Sequence, residues 1–341
     1  MKTLKKISLW ILFSFVLQFI ILFYINNYFL TDSAMIQSKK ILITDEMVDN
    51  IKVKVPPNAN DIMPSFDGKY LSYILNNNLI IVNTKTSKTV KSIYIDGKNI
   101  DSYKWLNDRN RILYLNKEET KRGEELNIEA YDVDNEQQNT VNKTIYYQYK
   151  GYVSDITLSP LTNVIYINVS SKNNLEKDRL YQIDIMGEIK KIQLPVNKII
   201  KMYETQKTDN LIYESSNNIV HIIKEGKKDN YISSEKYSLI GIDSNDNIYV
   251  GSLKNNFIQE VYYGTVDEPL KKWDKINLKS PVKPNNLILA PKNNKLYEIV
   301  NGKDLHDVRD NNIIYGQGDF IGINVNYIAY KKGDYVILKK Y

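Results

Sequence analysis

The two histidines of this chain are the first candidates for acid–base or metal chemistry. His221 lies in the apolar run IVHII, which favours an imidazole packed in the core over a catalytic base. His306 lies in KDLHDVRD among Asp304, Asp307 and Asp310, a cluster that could hold a cation but is also typical of a solvated turn. The two histidines are 85 residues apart, without the close spacing of zinc ligands. We therefore predict no metal site.

Three further motifs have suitable residue types but lack the context that their chemistry needs. The run DSNDN at residues 243–247 is similar to half of a calcium loop without its glycine and distant glutamate, and turns favour Asn and Asp in any case. Two S-x-x-K matches, at residues 233–236 and 280–283, lack the partner motifs of penicillin-recognising enzymes. No G-x-S-x-G elbow occurs, and the absence of cysteine excludes thiolate catalysis and disulfides. We predict no catalytic residue and no cofactor.

Aromatic side chains are better candidates for a binding surface. The tightest cluster lies in TIYYQYKGYV and consists of Tyr146, Tyr147, Tyr149 and Tyr152. Exposed tyrosines bury much area at little entropic cost, although an ordinary β-strand is the alternative for this segment. Trp105 and Trp273, at or near the starts of strands, are further candidates for ligand stacking. Their alternative role is packing between neighbouring sheets.

A tyrosine-ending module recurs about seven times and predicts the element that must position these side chains. Each copy is a polar turn that leads into a β-rich stretch, and the copies align on Tyr73, Tyr114, Tyr166, Tyr213, Tyr249, Tyr297 and Tyr330. The steps between them are 41, 52, 47, 36, 48 and 33 residues, close to the length of one four-stranded propeller blade. We predict an all-β protein, a β-propeller of about seven blades, with six or eight as alternatives.

The first copy, PSFDGKYLSYILNNNLIIVNTKT, resembles the repeat of TolB-type and dipeptidyl-peptidase-type propellers. Residues 241–251, GIDSNDNIYVG, are similar to the strand-turn-strand unit of NHL-type propellers. The resemblance covers roughly residues 56–341, but Phe66 replaces the usual proline and later copies lack the Asp-Gly pair. It implies a domain that presents loops and a channel to proteins, peptides or glycans.

An apolar N-terminal segment predicts the compartment. Residues 7–25 carry no charge, and Lys2, Lys5 and Lys6 precede them. Because about 20 apolar residues span a bilayer and basic residues stay inside, we predict an uncleaved membrane anchor, with a buried helix as the alternative. The predicted domains are a cytoplasmic tail and anchor at 1–30, a stalk at 31–55 and a propeller at 56–341. Residues 51–55 or 41–44 are expected to close the ring as an outermost strand.

The charge pattern adds an argument about partners. A formal net charge of +6 is spread over mixed basic and acidic segments, so we predict no nucleic-acid partner. Taken together, the sequence predicts a single-pass protein of the cytoplasmic membrane, bacterial by its residue usage, with the N-terminus inside and the propeller outside. Its function would be non-catalytic recognition of an envelope protein or wall polymer. The alternative is an envelope polysaccharide hydrolase or lyase whose carboxylates come from different blades.

Overall fold

The computed structural model describes residues 2–24, 50–95, 98–121, 123–147, 150–159, 161, 163–171, 176–227, 229–310 and 312–341. The chain divides into two compact units, Met1–Met47 and Val48–Tyr341. The first unit contains the helix α1 (Lys2–Tyr24). The predicted stalk at residues 31–55 falls mostly on residues 31–49, outside the described part of the chain, so the domain boundaries stay predictions.

The predicted membrane anchor at residues 7–25 is not confirmed. The described side chains of α1 from Trp10 to Phe23 are exposed. Within the described residues, no helix combines the length and the apolar character needed to cross a membrane. This finding contradicts the predicted location at the cytoplasmic membrane with the propeller outside.

The second unit is a seven-blade β-propeller, which confirms the predicted all-β fold. Its described strands form seven sheets of four antiparallel strands each. Strand β1 (Ile51–Lys54) comes first in the chain and belongs to the last blade. Blade 1 then consists of β2 (Asn60–Pro64), β3 (Tyr70–Leu75), β4 (Asn78–Asn83) and β5 (Thr89–Ile93). Blade 2 consists of β6 (Asn99–Trp105), β7 (Arg111–Thr120), β8 (Gly123–Asp132) and β9 (Gln137–Tyr147).

The next three blades follow in chain order. Blade 3 consists of β10 (Gly151–Ser159), β11 (Val164–Ser171), β12 (Arg179–Ile183) and β13 (Ile189–Ile192). Blade 4 consists of β14 (Ile199–Glu204), β15 (Asn210–Ser215), β16 (Val220–Lys224) and β17 (Asp229–Tyr231). Blade 5 consists of β18 (Tyr237–Ile242), β19 (Ile248–Lys254), β20 (Phe257–Gly264) and β21 (Asp274–Val282).

The last two blades complete the ring. Blade 6 consists of β22 (Leu287–Ala290), β23 (Lys295–Val300), β24 (Asp304–Asp307) and β25 (Ile313–Ile314). Blade 7 consists of β1 together with β26 (Asp319–Ile323), β27 (Tyr327–Lys332) and β28 (Tyr335–Lys340). Two short 3-10 helices precede β21 and β22 and span Leu270–Lys272 and Pro284–Asn286.

A strand from the N-terminal side closes the ring. β1 pairs antiparallel with β28, with Ile51 opposite Leu338 and Lys54 opposite Tyr335. One of the two segments expected to do this, residues 51–55, therefore supplies the outermost strand, and residues 41–44 lie outside the described chain. The closing pair covers the edge of β28, which would otherwise invite pairing with another chain.

The hydrophobic core lies between the blades. Seven clusters of buried apolar side chains fill the seven contacts between neighbouring blades, and the cluster at the closing contact contains Val53, Leu71 and Leu338. Each fully buried Val, Leu or Ile contributes about 1.5–3 kcal/mol. Blades that cannot bury both faces alone are thus stabilised by their neighbours.

Alternating strand directions give the two ends of the ring different connections. The end that we call the linker face carries the connections between consecutive blades and the turns between second and third strands. The opposite face carries the turns between first and second strands and between third and fourth strands. The first strands of blades 2 to 6 contact one another in succession, so the first strand of each blade lies innermost.

Asparagine pairs build two of the tightest turns on the linker face. Asn76 and Asn77 join β3 to β4 with φ of 48° and 63°, and Asn255 and Asn256 join β19 to β20 with φ of 52° and 65°. Two consecutive residues with positive φ are the signature of a type I′ hairpin, which matches the twist of the strands. Asn tolerates this backbone better than other residues with a side chain.

Candidate functional site

The repeat tyrosines have a structural role. All seven lie on the second strand of a blade and are at most 6% exposed. In blade 2, the Tyr114 hydroxyl donates to the Glu129 carboxylate on the neighbouring strand at 2.7 Å. In blade 3, the Tyr166 hydroxyl donates at 2.5 Å to Asp209 of blade 4, so the hydrogen bond joins two blades. Burial raises the pKa of both phenols, and they stay neutral donors at physiological pH.

His221 is packed inside blade 4, as its apolar surroundings in the sequence indicate. Its ring stacks on Tyr213 with centroids 4.8 Å apart and an angle of 8° between the planes. The Nδ1 atom lies 3.0 Å from the Asp229 carboxylate, which also accepts the Tyr213 hydroxyl at 3.0 Å. The three side chains come from adjacent strands of one sheet, so they hold the blade together.

The acidic cluster around His306 uses its oxygens within the protein. Asp307 is buried and accepts hydrogen bonds from Lys295 Nζ at 2.7 Å and from the backbone of Arg309 and Asp310 at 2.9 and 3.1 Å. Burial by itself would raise the pKa of Asp307, but the Lys295 ammonium and these N–H groups lower it. Among the described residues, no group of three or more histidine and acidic side chains is arranged to hold a metal ion.

The calcium-like run at residues 243–247 forms a hairpin turn. The Asp243 carboxylate accepts the backbone N–H groups of Asn245 and Asn247 at 2.8 and 2.9 Å. Asp246 instead reaches blade 4 and accepts the N–H groups of Gln206 and Lys207 at 2.6 and 3.0 Å. Both aspartates therefore stabilise connections on the opposite face.

An active site assembled from different blades would need titratable side chains with shifted pKa values near the innermost strands. Burial raises the pKa of Asp155 on β10, and burial lowers the pKa of Lys201 on β14. Burial also raises the pKa of Tyr203 on β14 to about 12. Shifted pKa values of this kind occur at active sites, but structural networks produce them too.

The hydrogen bonds favour a structural role for these carboxylates. Asp155 accepts the N–H of Met202 in the next blade at 3.3 Å, and Asp101 accepts the N–H of Val153 in the next blade at 2.6 Å. Glu214 accepts the N–H of Leu239 in blade 5 at 2.8 Å. Since these oxygens already pair with backbone groups, the geometry supports links between blades rather than acid–base catalysis.

The two candidate tryptophans are buried between blades. Trp105 is 6% exposed between blades 1 and 2, and its indole N–H donates to Ser72 Oγ at 2.7 Å. Trp273 is 7% exposed, and its N–H donates to the Glu268 carbonyl at 3.0 Å. Both indoles thus have the packing role named as their alternative, and ligand stacking by them stays an untested prediction.

Two of the four tyrosines of the predicted cluster have described side chains. Tyr146 is 66% exposed near the end of β9, the outermost strand of blade 2. Tyr152 is 44% exposed near the start of β10, the innermost strand of blade 3. Both lie at the linker face. Tyr149 and the side chain of Tyr147 lie outside the described residues.

The exposed aromatic side chains of the described propeller all lie on the linker face. They are placed at the linker-face ends of strands or in the connections between blades, and they are Tyr94, Tyr146, Tyr152, Tyr231, Phe257, Tyr315 and Tyr335. The exposed aliphatic residues of blade 3, by contrast, lie in turns of the opposite face: Leu161, Ile185 and Met186. Aromatic exposure therefore distinguishes one end of the ring from the other.

Five of these seven aromatic residues were not predicted from the sequence. Tyr94 and Tyr315 directly follow the outermost strands of blades 1 and 6, and Tyr231 ends the outermost strand of blade 4. Phe257 and Tyr335 begin third strands. Their shared signal is a place at the linker-face end of a strand, which can be read only after all 28 strands are assigned.

Comparison with known proteins supports the fold and no particular family. No family model matches the chain, and no curated protein matches it. Among solved structures, the chain is similar to the β-propeller domain of Myceliophteria thermophila Cps50 (Swd1), with 11% identity, a TM-score of 0.55, and coverage of 85% of this chain and 98% of that chain. It is also similar to a chain of the Mitotic Checkpoint Complex, with 12% identity, a TM-score of 0.53, and coverage of 85% and 91%. This likeness supports the β-propeller fold that the seven described sheets form.

Proposed function

We propose that this propeller is a non-catalytic recognition module that binds a protein partner on its linker face. The observation that carries the proposal is the placement of all exposed aromatic side chains of the described propeller at that end of the ring. Aromatic residues are enriched at protein interfaces, because they bury a large area and lose little conformational freedom. A ring closed by β1 is a rigid support for such a surface.

The similar solved structures support the same type of role. One of them was determined as part of the Mitotic Checkpoint Complex, so a propeller of similar shape serves there within a protein assembly. The resemblance to TolB-type and dipeptidyl-peptidase-type repeats enters this proposal only through the sequence of blade 1. The envelope protein and the wall polymer that were predicted as partners are not part of this proposal, because that prediction depended on the membrane anchor.

Tyr146 and Tyr152 are the residues of this surface to test first. They are exposed, and their strands end and begin at the same connection between blades 2 and 3. A partner that covers this connection would contact both side chains. Loss of a tyrosine at the centre of an interface typically costs 2 kcal/mol or more of binding energy, which is roughly a thirtyfold loss of affinity.

The test is affinity capture from an extract of the source cells by the full chain and two double variants. Tyr146→Ser/Tyr152→Ser alters the linker face, and Leu161→Ser/Met186→Ser alters exposed apolar residues of the opposite face. We expect a protein that the unaltered chain and the second variant retain and the first variant loses. Retention by the first variant with loss by the second would contradict the proposal, as would recovery of no protein by any form.

A further inference from the structure

The connections of the linker face carry a surplus of exposed lysines. Six of the described connection residues on this face are exposed lysines: Lys121, Lys150, Lys177, Lys236, Lys283 and Lys303. Only two exposed acidic residues, Glu235 and Asp334, lie in the same set of described connections. The aromatic end of the ring is therefore also its basic end.

These six lysines are not neutralised within the described part of the propeller. None of them forms an ion pair with a described residue. A less exposed lysine of the same face, Lys98, is paired with Glu118 at 3.0 Å. An exposed ammonium without a nearby carboxylate attracts an approaching anionic ligand electrostatically, over a screening length of about 8 Å at physiological salt.

The opposite face has a different charge pattern. Its described connections carry ten exposed basic and eight exposed acidic residues, so the two signs nearly balance. Several of them also neutralise each other. Lys69 pairs with Asp134, and Arg109 pairs with Asp108 at 2.7 Å. Positive charge in excess is thus a property of the linker face and does not merely follow from the net charge of the whole chain.

We infer that the partner of the linker face is an acidic protein segment. This inference rests on the proposed function and adds the partner's chemistry, since charge complementarity steers association and suppresses wrong partners. The lysines are spread one to a connection over blades 2 to 6, so they suit a protein that covers the face. A nucleic-acid strand requires a continuous basic groove, and it is an outcome of the test below.

The test measures binding of a labelled poly-glutamate peptide of about 20 residues to the full chain in 50 mM and 300 mM salt, by fluorescence anisotropy. The linker-face variant is Lys121→Gln/Lys150→Gln/Lys177→Gln. The matched variant is Lys85→Gln/Lys88→Gln/Lys207→Gln, which removes the same charge from exposed residues of the opposite face. We expect the first variant to weaken binding on the order of tenfold at low salt, and the second to change it less than twofold.

Three results would overturn the inference: no binding of poly-glutamate, equal effects of the two variants, or tighter binding of a 20-nucleotide single strand than of poly-glutamate. A separate outcome concerns the proposed function. If the protein captured in the tyrosine experiment is lost from Tyr146→Ser/Tyr152→Ser but is bound unchanged by the lysine variant, the recognition surface stands and its acidic partner does not.

Discussion

At the scale of single residues, buried and half-buried carboxylates link the blades by accepting backbone N–H groups of the next blade. Asp101, Asp155 and Glu214 do so in three successive contacts, at 2.6, 3.3 and 2.8 Å. The donors belong to innermost strands, whose inner edge has no neighbouring strand. A carboxylate is a strong acceptor for such groups, and it replaces the missing strand partner.

Removal of Glu214 is expected to cost about 3 kcal/mol of unfolding free energy, because several donors would lose their partner inside the protein. Besides Leu239 N–H, Glu214 accepts Ser238 Oγ at 3.1 Å and Asn218 Nδ2 at 2.9 Å. Urea denaturation of Glu214→Ala measures the loss, with Glu119→Ala at an exposed position as the control. A loss no larger than that of the control would refute the linking role.

Two aspartates predict opposite effects of pH on stability. Burial holds the pKa of Asp155 in the folded chain above its unfolded value. Ionisation of Asp155 therefore lowers the stability of the folded chain at neutral pH, and this loss disappears as pH falls through the folded pKa. Asp155→Asn removes the charge and keeps one of the two oxygens, which accept the N–H groups of Ile156 at 2.8 Å and Met202 at 3.3 Å. We expect the stability of this variant relative to the unaltered chain to be greatest at pH 7 and to fall on acidification.

Asp307 provides the matched control for this measurement. Burial opposes its ionisation, but Lys295 and two backbone N–H groups hold its pKa below the unfolded value. Its stabilising effect is present above the unfolded pKa and is lost as pH falls through the folded one. Asp307→Asn should therefore be less stable at pH 7, with the difference shrinking in acid. Denaturation curves of equal pH dependence for the two variants would argue against this account.

At the scale of elements, the ring depends on one strand that comes from far away in the chain. β1 and β28 are separated by almost the whole propeller, and Val53 of β1 is fully buried opposite Val336. The alternation of buried Val53 and Val55 with exposed Lys52 and Lys54 is the period-2 pattern of a strand with one face in the core. IKVKV is one of the two segments that the sequence offered as the closing strand, residues 41–44 being the other, and the alternation is visible in it.

Val53→Ala is expected to lower the unfolding free energy by about 2 kcal/mol, because it leaves a cavity between blades 7 and 1. Lys52→Ala on the exposed face of the same strand should change it by less than about 0.5 kcal/mol. Thermal denaturation of both variants makes the comparison. If the two substitutions were equally mild, β1 would not contribute to the closed ring as described.

The type I′ turns give a second prediction for the elements. Asn256 has a φ of 65°, where a β-branched side chain is strained. Asn256→Val should destabilise the chain by about 1–2 kcal/mol, whereas Asn256→Gly should be close to neutral. Chemical denaturation measures the unfolding free energies of both variants. A Val variant as stable as the Gly variant would rule out the positive φ at this position.

At the scale of the whole molecule, the ring could be predicted from the sequence, but the end of the ring that carries its exposed aromatic side chains could not. The tyrosine repeat indicates the blades because each tyrosine occupies the same buried place on a second strand, as Tyr114 and Tyr213 do. The end of the ring on which an exposed residue lies, however, depends on the direction of its strand. Tyr94 and Tyr315 have no motif in common, and only the strand directions place them on one face.

The N-terminal segment shows the reverse case, in which a clear pattern led to a wrong prediction of location. Uncharged composition over residues 7–25 indicates an apolar helix, and α1 is observed there. Among the described residues, however, no helix has both the length and the apolar character that a membrane crossing needs. The propeller unit and its proposed function stand independently of this segment.

The most direct test of the linker face as the binding surface is photo-crosslinking from the two ends of one strand. A photoreactive phenylalanine analogue replaces either Tyr152, at the start of β10, or Leu161, in the turn after it. Both positions are exposed and belong to blade 3, so expression and folding should be alike. We predict a discrete crosslinked partner from position 152 in source cells and none from position 161. Crosslinks from position 161 alone would place recognition on the opposite face and contradict the account.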